Sequence, residues 1–383
     1  MSSQKKYFLL DPSVTFLNHG SFGATPKPVY REYQRWQREM EKQPVEFLGR
    51  RITQLLADSR AELGKYLGTS GDNLVYTQNV TVSLNIVAHS LELGVGDEVL
   101  TTNHEYGAID RTWRFLSKEH GFTYINQPIT TPLTTAEKFT EDVWQAVTSR
   151  TRVICLSHIT SPTAIIFPIK EIVRRAREKG LITIIDGAHV AGQIPLHLDS
   201  LGADFYGGNL HKWLCAPKGA GFLYARPEMQ HLLKPLIVSW GYESITPSGS
   251  NFIDHNDWWG TRDHSAFLAV PAAIRFQQKH HWDEVRDACH QLVSYAQNRI
   301  CELTELAPLH PATGSWFAQM AAAPLPAETN IITLKTRLYD EYRIEVPLVE
   351  WNGNKLVRIS VQGYNTKRDI NKLYHALSVL LKD

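Results

Sequence analysis

The apolar run Leu181-Ile182-Thr183-Ile184-Ile185 ends abruptly in a carboxylate, Asp186. A β-branched run of this kind reads as a strand covered on both faces, the usual state of a strand inside a parallel sheet. Such a strand needs neighbours of its own sort, and the chain supplies them. Leu74 to Thr77, Glu98 to Thr102, Phe122 to Ile125 and Arg152 to Ser157 are all short strand-like runs. Helical patterns lie between them, from about Val80 to Leu93, Tyr106 to His120, a short one ending near Ser149, and Ile169 to Lys179. Glycines stop most of them, as at Gly94, Gly121 and Gly180. This alternation predicts an α/β fold, a mostly parallel sheet between helices. In open sheets of that type ligands bind beyond the carboxyl ends of the strands, where Asp186 sits. Lys212, flanked by His211 and Trp213, follows 26 residues later, before a Gly-rich return into the run Gly221 to Ala225. A buried carboxylate needs a cation or a hydrogen-bond donor, so Asp186 and Lys212 are the leading pair.

The flanking regions read differently. Phe16 to Gly23 is a Gly-punctuated loop after a short strand. Thr25 is predicted as an N-cap with Pro26 at the first helical position, ahead of Val29, Tyr33, Trp36 and Met40. A second helix, from about Arg50, carries Ile52, Leu55, Leu56 and Leu63 and stops at Gly68. Beyond Ala225, Trp240 to Asp263 reads as a long loop, functional or at an interface. A helical stretch from Ala266 to Leu306 leads to a remainder with strands expected at Asn330 to Leu334, Ile344 to Pro347 and Lys355 to Ser360. A last helix carries Ile370, Leu373, Leu377 and Leu380. The expected organisation is an N-terminal segment (1–25) that joins the small domain and the mouth of the site, a large domain (26–265), connecting helices (266–306) and a small α+β domain (307–383).

With 383 residues there is material for two cores. A net charge of +1 gives no electrostatic reason to expect nucleic acid or an anionic membrane as partner. No apolar run approaches the ~20 residues of a membrane helix, and the N-terminus has no signal-peptide core. The four cysteines form no CxxC pair, which fits a reducing cytoplasm. The 16 histidines do not fall at metal-ligand spacing, and no metal is expected. Phosphate-loop, nucleophile-elbow, zinc-protease and dinucleotide fingerprints are all missing.

A strand-end aspartate followed by a lysine in a Gly-rich setting suits pyridoxal phosphate. That cofactor needs a lysine amine for its aldehyde and an anion against its ring nitrogen. It also needs a phosphate cup at a helix N-terminus, and Thr77 to Thr81 offers a strand-turn-helix junction there. An aromatic ring for stacking is available in Asn103-His104-Glu105-Tyr106.

These residues also carry a family resemblance. FLNHGSFGATP (16–26), QNVTVSLN (78–85), HEYGA (104–108), SHITSPTA (157–164), DGAHVAGQ (186–193), GGNLHKW (207–213), WGTRD (259–263) and VRISVQGYN (357–365) occur in that order. In them the chain resembles the class V aminotransferase superfamily of fold-type I pyridoxal-phosphate enzymes over nearly its full length. It is most similar to the isopenicillin N epimerase-like branch, which also holds C–S lyases. The resemblance implies a seven-stranded, mostly parallel sheet and an active site at a dimer interface; the near-neutral charge and missing targeting signals suggest a cytoplasmic homodimer. The resemblance makes Lys212 the cofactor-bearing lysine and proton shuttle, and Asp186 the partner of the ring nitrogen. It places His189 near the ring oxygen, and Asn79, Val80 (through its backbone N–H), Thr81 and His211 around the phosphate. Thr261 would reach the phosphate from the partner subunit. Tyr106 would stack on the ring, with His104 as competitor and either as a second proton donor. Arg358 would grip the substrate carboxylate, since a guanidinium binds a carboxylate through two parallel hydrogen bonds. Asn18, His19 and Gly20 would line the substrate mouth.

The expected activity is chemistry at the Cα of an amino acid. Epimerisation stands first and β-elimination of sulfur second. Cysteine desulfurase ranks low for want of a cysteine after Cys301, and a non-catalytic binding module lower still. Asp186 and Lys212 are expected to lie at opposite ends of the cofactor, without a direct salt bridge.

Overall fold

The computed structural model describes residues 4–311 and 315–382. Its main sheet has seven strands: β1 (Leu74–Thr77), β2 (Glu98–Thr102), β3 (Thr123–Gln127), β4 (Thr151–Ser157), β5 (Ile182–Gly187), β6 (Phe205–Asn209) and β7 (Gly221–Ala225). Their spatial order is β1-β7-β6-β5-β4-β2-β3. Only β7 runs against its neighbours; the other four pairings are parallel. Because β7 is antiparallel to both β1 and β6, all strands except β7 end at one edge of the sheet. That edge therefore collects the segments after β1 (Asn79–Thr81), β2 (His104–Tyr106), β4 (His158–Ser161), β5 (Ala188–His189) and β6 (Leu210–Lys212). The order of the strands assembles the site.

The strands are covered on both faces, as their composition requires. Tyr76, Leu100, Ile154, Leu156, Ile185, Tyr206 and Phe222 point into one apolar layer. Their alternates Val75, Val99, Val153, Cys155, Ile184, Phe205 and Leu223 point into the other. The first layer runs on, without interruption, into a second sheet of β8 (Met320–Leu325), β9 (Leu348–Trp351) and β10 (Asn354–Ser360). This antiparallel sheet has the order β9-β10-β8. The last helix, Lys367–Leu380, buries Ile370, Leu373, Leu377 and Leu380 as its periodicity predicts. The N-terminal segment pairs with the C-terminal region, Thr15–Phe16 running parallel to Ile344–Glu345.

Three local expectations are corrected. Asn330 to Leu334 is not a strand: Asn330 accepts hydrogen bonds from the N–H groups of Ile332 and Thr333 and starts a helix, Ile331–Asp340. The cap overrides the β-branched pair behind it. The strand that takes its place in the sheet, β8, reads Met-Ala-Ala-Ala-Pro-Leu and carries no β-propensity signal. The long loop contains a helix, Asn251–Asp257, capped by Ser250. Thr25 is not an N-cap either; Pro26 takes that position, and the Thr25 hydroxyl donates to the Ala216 carbonyl, beside the Lys212 turn.

Candidate active site

Lys212 lies in the turn between β6 and β7, and two other segments, around His19–Gly23 and Gly192, close on its backbone. Gly23 has φ +68°, and a Cβ there would stand 2.0 Å from the His211 carbonyl oxygen. Gly192 has φ +93°, and its Cβ would stand 2.3 Å from the Trp213 carbonyl carbon. Only glycine allows both the left-handed conformation and the approach. The fully buried His19 sends Nε2 to the Lys212 carbonyl at 2.9 Å, while its Nδ1 meets the Tyr364 hydroxyl at 2.9 Å. His19 therefore braces the backbone behind the lysine and does not line an open mouth. Burial drives its pKa down to about 3, so the ring is neutral, donating to the carbonyl and accepting from the tyrosine.

Asp186 ends β5 facing this turn. Its Oδ1 accepts from the Ala188 N–H at 2.9 Å, and its buried Oδ2 has no partner. No ion pair joins it to Lys212 among the described residues. The Lys212 amine sits 3.3 Å from His189 Nε2. Burial first, and Arg358 second, hold the amine's pKa below the ordinary lysine range, with Asp186 opposing. A buried, unpartnered carboxylate oxygen is what a protonated ring nitrogen requires, so the residues present fit pyridoxal phosphate.

Behind Asp186 stands Glu105, to which the sequence reading assigned no role. Its carboxylate accepts from the Thr102 hydroxyl (2.8 Å), the Ser157 N–H (2.8 Å) and the Ser157 hydroxyl (2.7 Å). Burial raises its pKa to about 7 against these hydrogen bonds, and nearby Asp186 adds to the rise. A carboxyl group raised in the folded state costs stability as pH climbs from its unfolded to its folded value. Glu105→Gln keeps an acceptor for Ser157, and its amide can donate to the Thr102 hydroxyl. The variant is expected to gain on the order of 3 kcal/mol relative to wild type between pH 4.5 and 7, constant above. Urea unfolding across that range checks it; parallel curves would refute it.

The phosphate cup needs a correction. Asn79 caps the helix Val80–Ser90, its side chain accepting from the Val82 N–H at 3.1 Å. The Val80 N–H, expected to be free for phosphate, donates instead to Asn209 Oδ1 at 2.9 Å. Among the described residues, no hydrogen bond engages the N–H or hydroxyl of Thr81. His211 donates from Nδ1 to the Ala220 carbonyl at 3.0 Å, so Nε2 of the neutral ring is a bare acceptor and meets an anion only when the ring is protonated. Thr261 is exposed, just after Gly260.

Arg358, on β10, is 6% exposed and lies close enough to Lys212 to depress its amine. Its guanidinium donates to the Ser161 carbonyl (2.6 Å), the Ser161 hydroxyl (3.1 Å) and the Ser21 hydroxyl (3.2 Å), while Nε stays unpartnered. Tyr106 is 45% exposed and near enough to favour the Arg358 cation. His104 is elsewhere. It is wholly buried, bonded to the Thr163 hydroxyl at 2.8 Å and the Ile129 carbonyl at 3.3 Å, with its ring 4.3 Å from that of Trp351. A ring enclosed in this way presents no open face, whereas Tyr106 is half-exposed. Asn18 donates to Glu345 at 2.9 Å and accepts from Ser21. Buried Gly20 packs against Met320, Ser360 and Trp213. The first site thus has a shell that sequence reading did not assign: Ser21, Ser161, Asn209 and Glu105. Each lies within or beside a quoted motif, yet none is of a type that announces its role.

A mostly parallel sheet whose carboxyl edge holds a lysine and an aspartate with one unpartnered oxygen, faced by a buried arginine from the second sheet, fits a cofactor-dependent enzyme of amino acid chemistry. The family model "Aminotransferase class-V" matches residues 23–373, and the chain belongs to that family, whose cofactor is pyridoxal phosphate. It is 34% identical to isopenicillin N epimerase of Amycolatopsis lactamdurans, over 97% of this chain and 96% of the relative. It is 30% identical to a putative L-cysteine desulfhydrase of Oryza sativa, over 97% of this chain and 84% of that one. Among solved structures, a C-DES mutant with glycine covalently linked to the cofactor superposes with a TM-score of 0.85, at 22% identity, covering 98% of this chain and 99% of that one.

Proposed function

We propose that the chain is a pyridoxal-phosphate epimerase that inverts the Cα of an amino acid or an amino-acid-derived substrate. The reading is carried by the pairing of Lys212 with Tyr106 around Arg358. Inversion needs proton exchange on both faces of Cα, and these are the amine and hydroxyl available near the carboxylate grip. Bound there, pyridoxal phosphate supplies an electron sink that weakens bonds at the substrate Cα. Lys212 would hold the cofactor and move the proton on one face. Tyr106, which has no hydrogen bond to its hydroxyl among the described residues, would serve the other. Asp186 would keep the ring nitrogen protonated, and Thr81 and His211 would take the phosphate.

A cysteine desulfurase is disfavoured because burial raises all four thiols, Cys155, Cys215, Cys289 and Cys301, away from the thiolate form. β-Elimination of sulfur remains the second reading, supported by the desulfhydrase-named relative. Incubation with amino acids in heavy water separates the two: deuterium at Cα with inversion supports epimerisation. Pyruvate with released sulfide or thiol, without inversion, would overturn it.

Arg358→Lys is expected to raise KM for the amino acid at least ~10-fold with a smaller change in kcat, because a lysine loses the two-point grip. Steady-state kinetics check this; an unchanged KM would remove Arg358 from the carboxylate.

A cytoplasmic homodimer completes the reading. The segment of Val238 (69% exposed), Trp240 (79%) and Ile245 (89%) presents an apolar surface that a second copy would cover. It would bring Thr261 to the partner's phosphate. Light scattering tests the assembly. Among the described residues, no helix is long and apolar enough to cross a membrane.

A further inference from the structure

Trp213 follows Lys212 directly, and its indole is fully buried. Its Nε1–H donates to His189 Nδ1 at 3.2 Å. An indole nitrogen can only donate, so Nδ1 of His189 must be the bare, accepting nitrogen. The proton of the neutral ring then sits on Nε2, the atom 3.3 Å from the Lys212 amine. All parts of this relay are held. The Gln277 amide donates to the Trp213 carbonyl at 2.8 Å. Gly192, left-handed and without a side chain, lets the next segment close on the same carbonyl. The Gln193 amide donates to the His189 carbonyl at 2.6 Å, and the Gln193 oxygen is fixed in turn by the Gln319 N–H at 2.9 Å.

We propose that Trp213 is a positioning residue that locks His189 in its Nε2–H tautomer, so that His189 acts on Lys212 only as a donor. The inference rests on the reading above that Lys212 carries the cofactor. Its chemical consequence follows from donor and acceptor count. A donating Nε2–H is satisfied by a free amine, which has a lone pair, and opposed by an ammonium, which has none. The opposite tautomer would present a bare Nε2 that accepts from an ammonium and holds Lys212 protonated. Trp213 thereby favours the nucleophilic form of the amine, the form that attacks an aldehyde. The other charged groups around the amine are fixed in sign: Asp186 on β5 favours the ammonium, Arg358 on β10 opposes it, and neutral His211 adjoins it. The tautomer of His189, by contrast, is set by an uncharged neighbour, the Trp213 indole.

The test reads the tautomer without cofactor. In apoenzyme labelled with 15N-histidine, the His189 ring signals, assigned by their loss in His189→Gln, are expected to show a neutral Nε2–H ring from pH 6 to 9. A wild-type ring protonated on Nδ1 overturns the proposal, whatever any variant does. Trp213→Phe is expected to lose the pure Nε2–H pattern. It is also expected to move the midpoint of the pH profile for cofactor capture by apoenzyme upward by about one unit. In a His189→Gln background, where the side chain has no tautomers, the same substitution is expected to leave the midpoint in place. An equal shift in both backgrounds means that Trp213 acts through packing alone, and also overturns the proposal. A wild-type protein that captures no cofactor would instead strike the assignment of Lys212, and the spectrum separates the two failures.

Discussion

Lys212→Ala is expected to abolish covalent cofactor capture and to lower turnover at least ~10³-fold, since one substitution removes both the attachment point and the proton carrier for one face of Cα. Cofactor absorbance after gel filtration and single-turnover kinetics read the two losses separately. A variant that retains bound absorbance and more than a tenth of the wild-type rate would dismiss Lys212 from both roles. The same residue also leaves a mark on the apoenzyme, where no chemistry intervenes. Burial and Arg358 push its amine below the ordinary lysine value of 10.5. Between the two values the unfolded chain binds a proton that the folded chain does not, so the folded state loses stability as pH falls through that window. Lys212→Met keeps most of the stem and removes this loss. Wild type and variant are expected to match in stability above the ordinary lysine value. The variant then gains as pH falls towards the lowered value, below which the gap stays constant. Denaturant unfolding of both apoenzymes over this range measures it, and curves that run parallel throughout would contradict the burial argument.

How much of this was legible in the sequence depends on the range of the interaction. Most of the main sheet was readable because strands such as β2, β4 and β5 carry short β-branched runs and some crossover helices are stopped by a glycine, signals that act within a few residues; β6, Phe-Tyr-Gly-Gly-Asn, carries no such signal and was not expected. Asp186 and Lys212 were readable because the strand end and the Gly-rich return are local too. Beyond those, tertiary contact decided. His104 and Tyr106 are two residues apart and both aromatic. Only the closing of Trp351 and Phe167 over His104 separates an enclosed ring from a half-exposed one. The resemblance makes His19 a mouth residue, but the carbonyl that holds it lies 193 positions away. The Val80 N–H was assigned to phosphate by helix-start logic, which holds only while no side chain arrives first, and Asn209 arrives from another strand. The alanine-rich β8 had no local signal at all and is a strand because β10 pairs with it.

Asp186→Asn should separate stability from function, because the same burial that makes the carboxylate costly makes it effective. In the apoenzyme, burial raises the pKa of Asp186 against the Ala188 hydrogen bond and Lys212, and Oδ2 is left without a partner. An acid raised in this way costs stability at every pH above its folded value, the sign opposite to that of a salt-bridged aspartate. Asparagine can retain the bond from Ala188 through its own oxygen and carries no charge to desolvate. The apoenzyme of the variant is therefore expected to melt higher at neutral pH. With cofactor the sign reverses. An amide N–H in place of Oδ2 meets a protonated ring nitrogen donor to donor, so the nitrogen must lose its proton and accept instead. Losing a hydrogen bond to a charged group costs about 1.5–3 kcal/mol, which is roughly 10- to 100-fold in cofactor affinity. The loss of charge where charge develops is expected to lower turnover by about 10³-fold. Calorimetry of apo and loaded forms, with a cofactor titration, tests both halves. A variant less stable than wild type without cofactor would mean that Asp186 has a structural partner; unchanged cofactor affinity would mean that the carboxylate does not face the ring nitrogen. Only a carboxylate held unsatisfied until the ligand arrives gives a gain in the first measurement and a loss in the second.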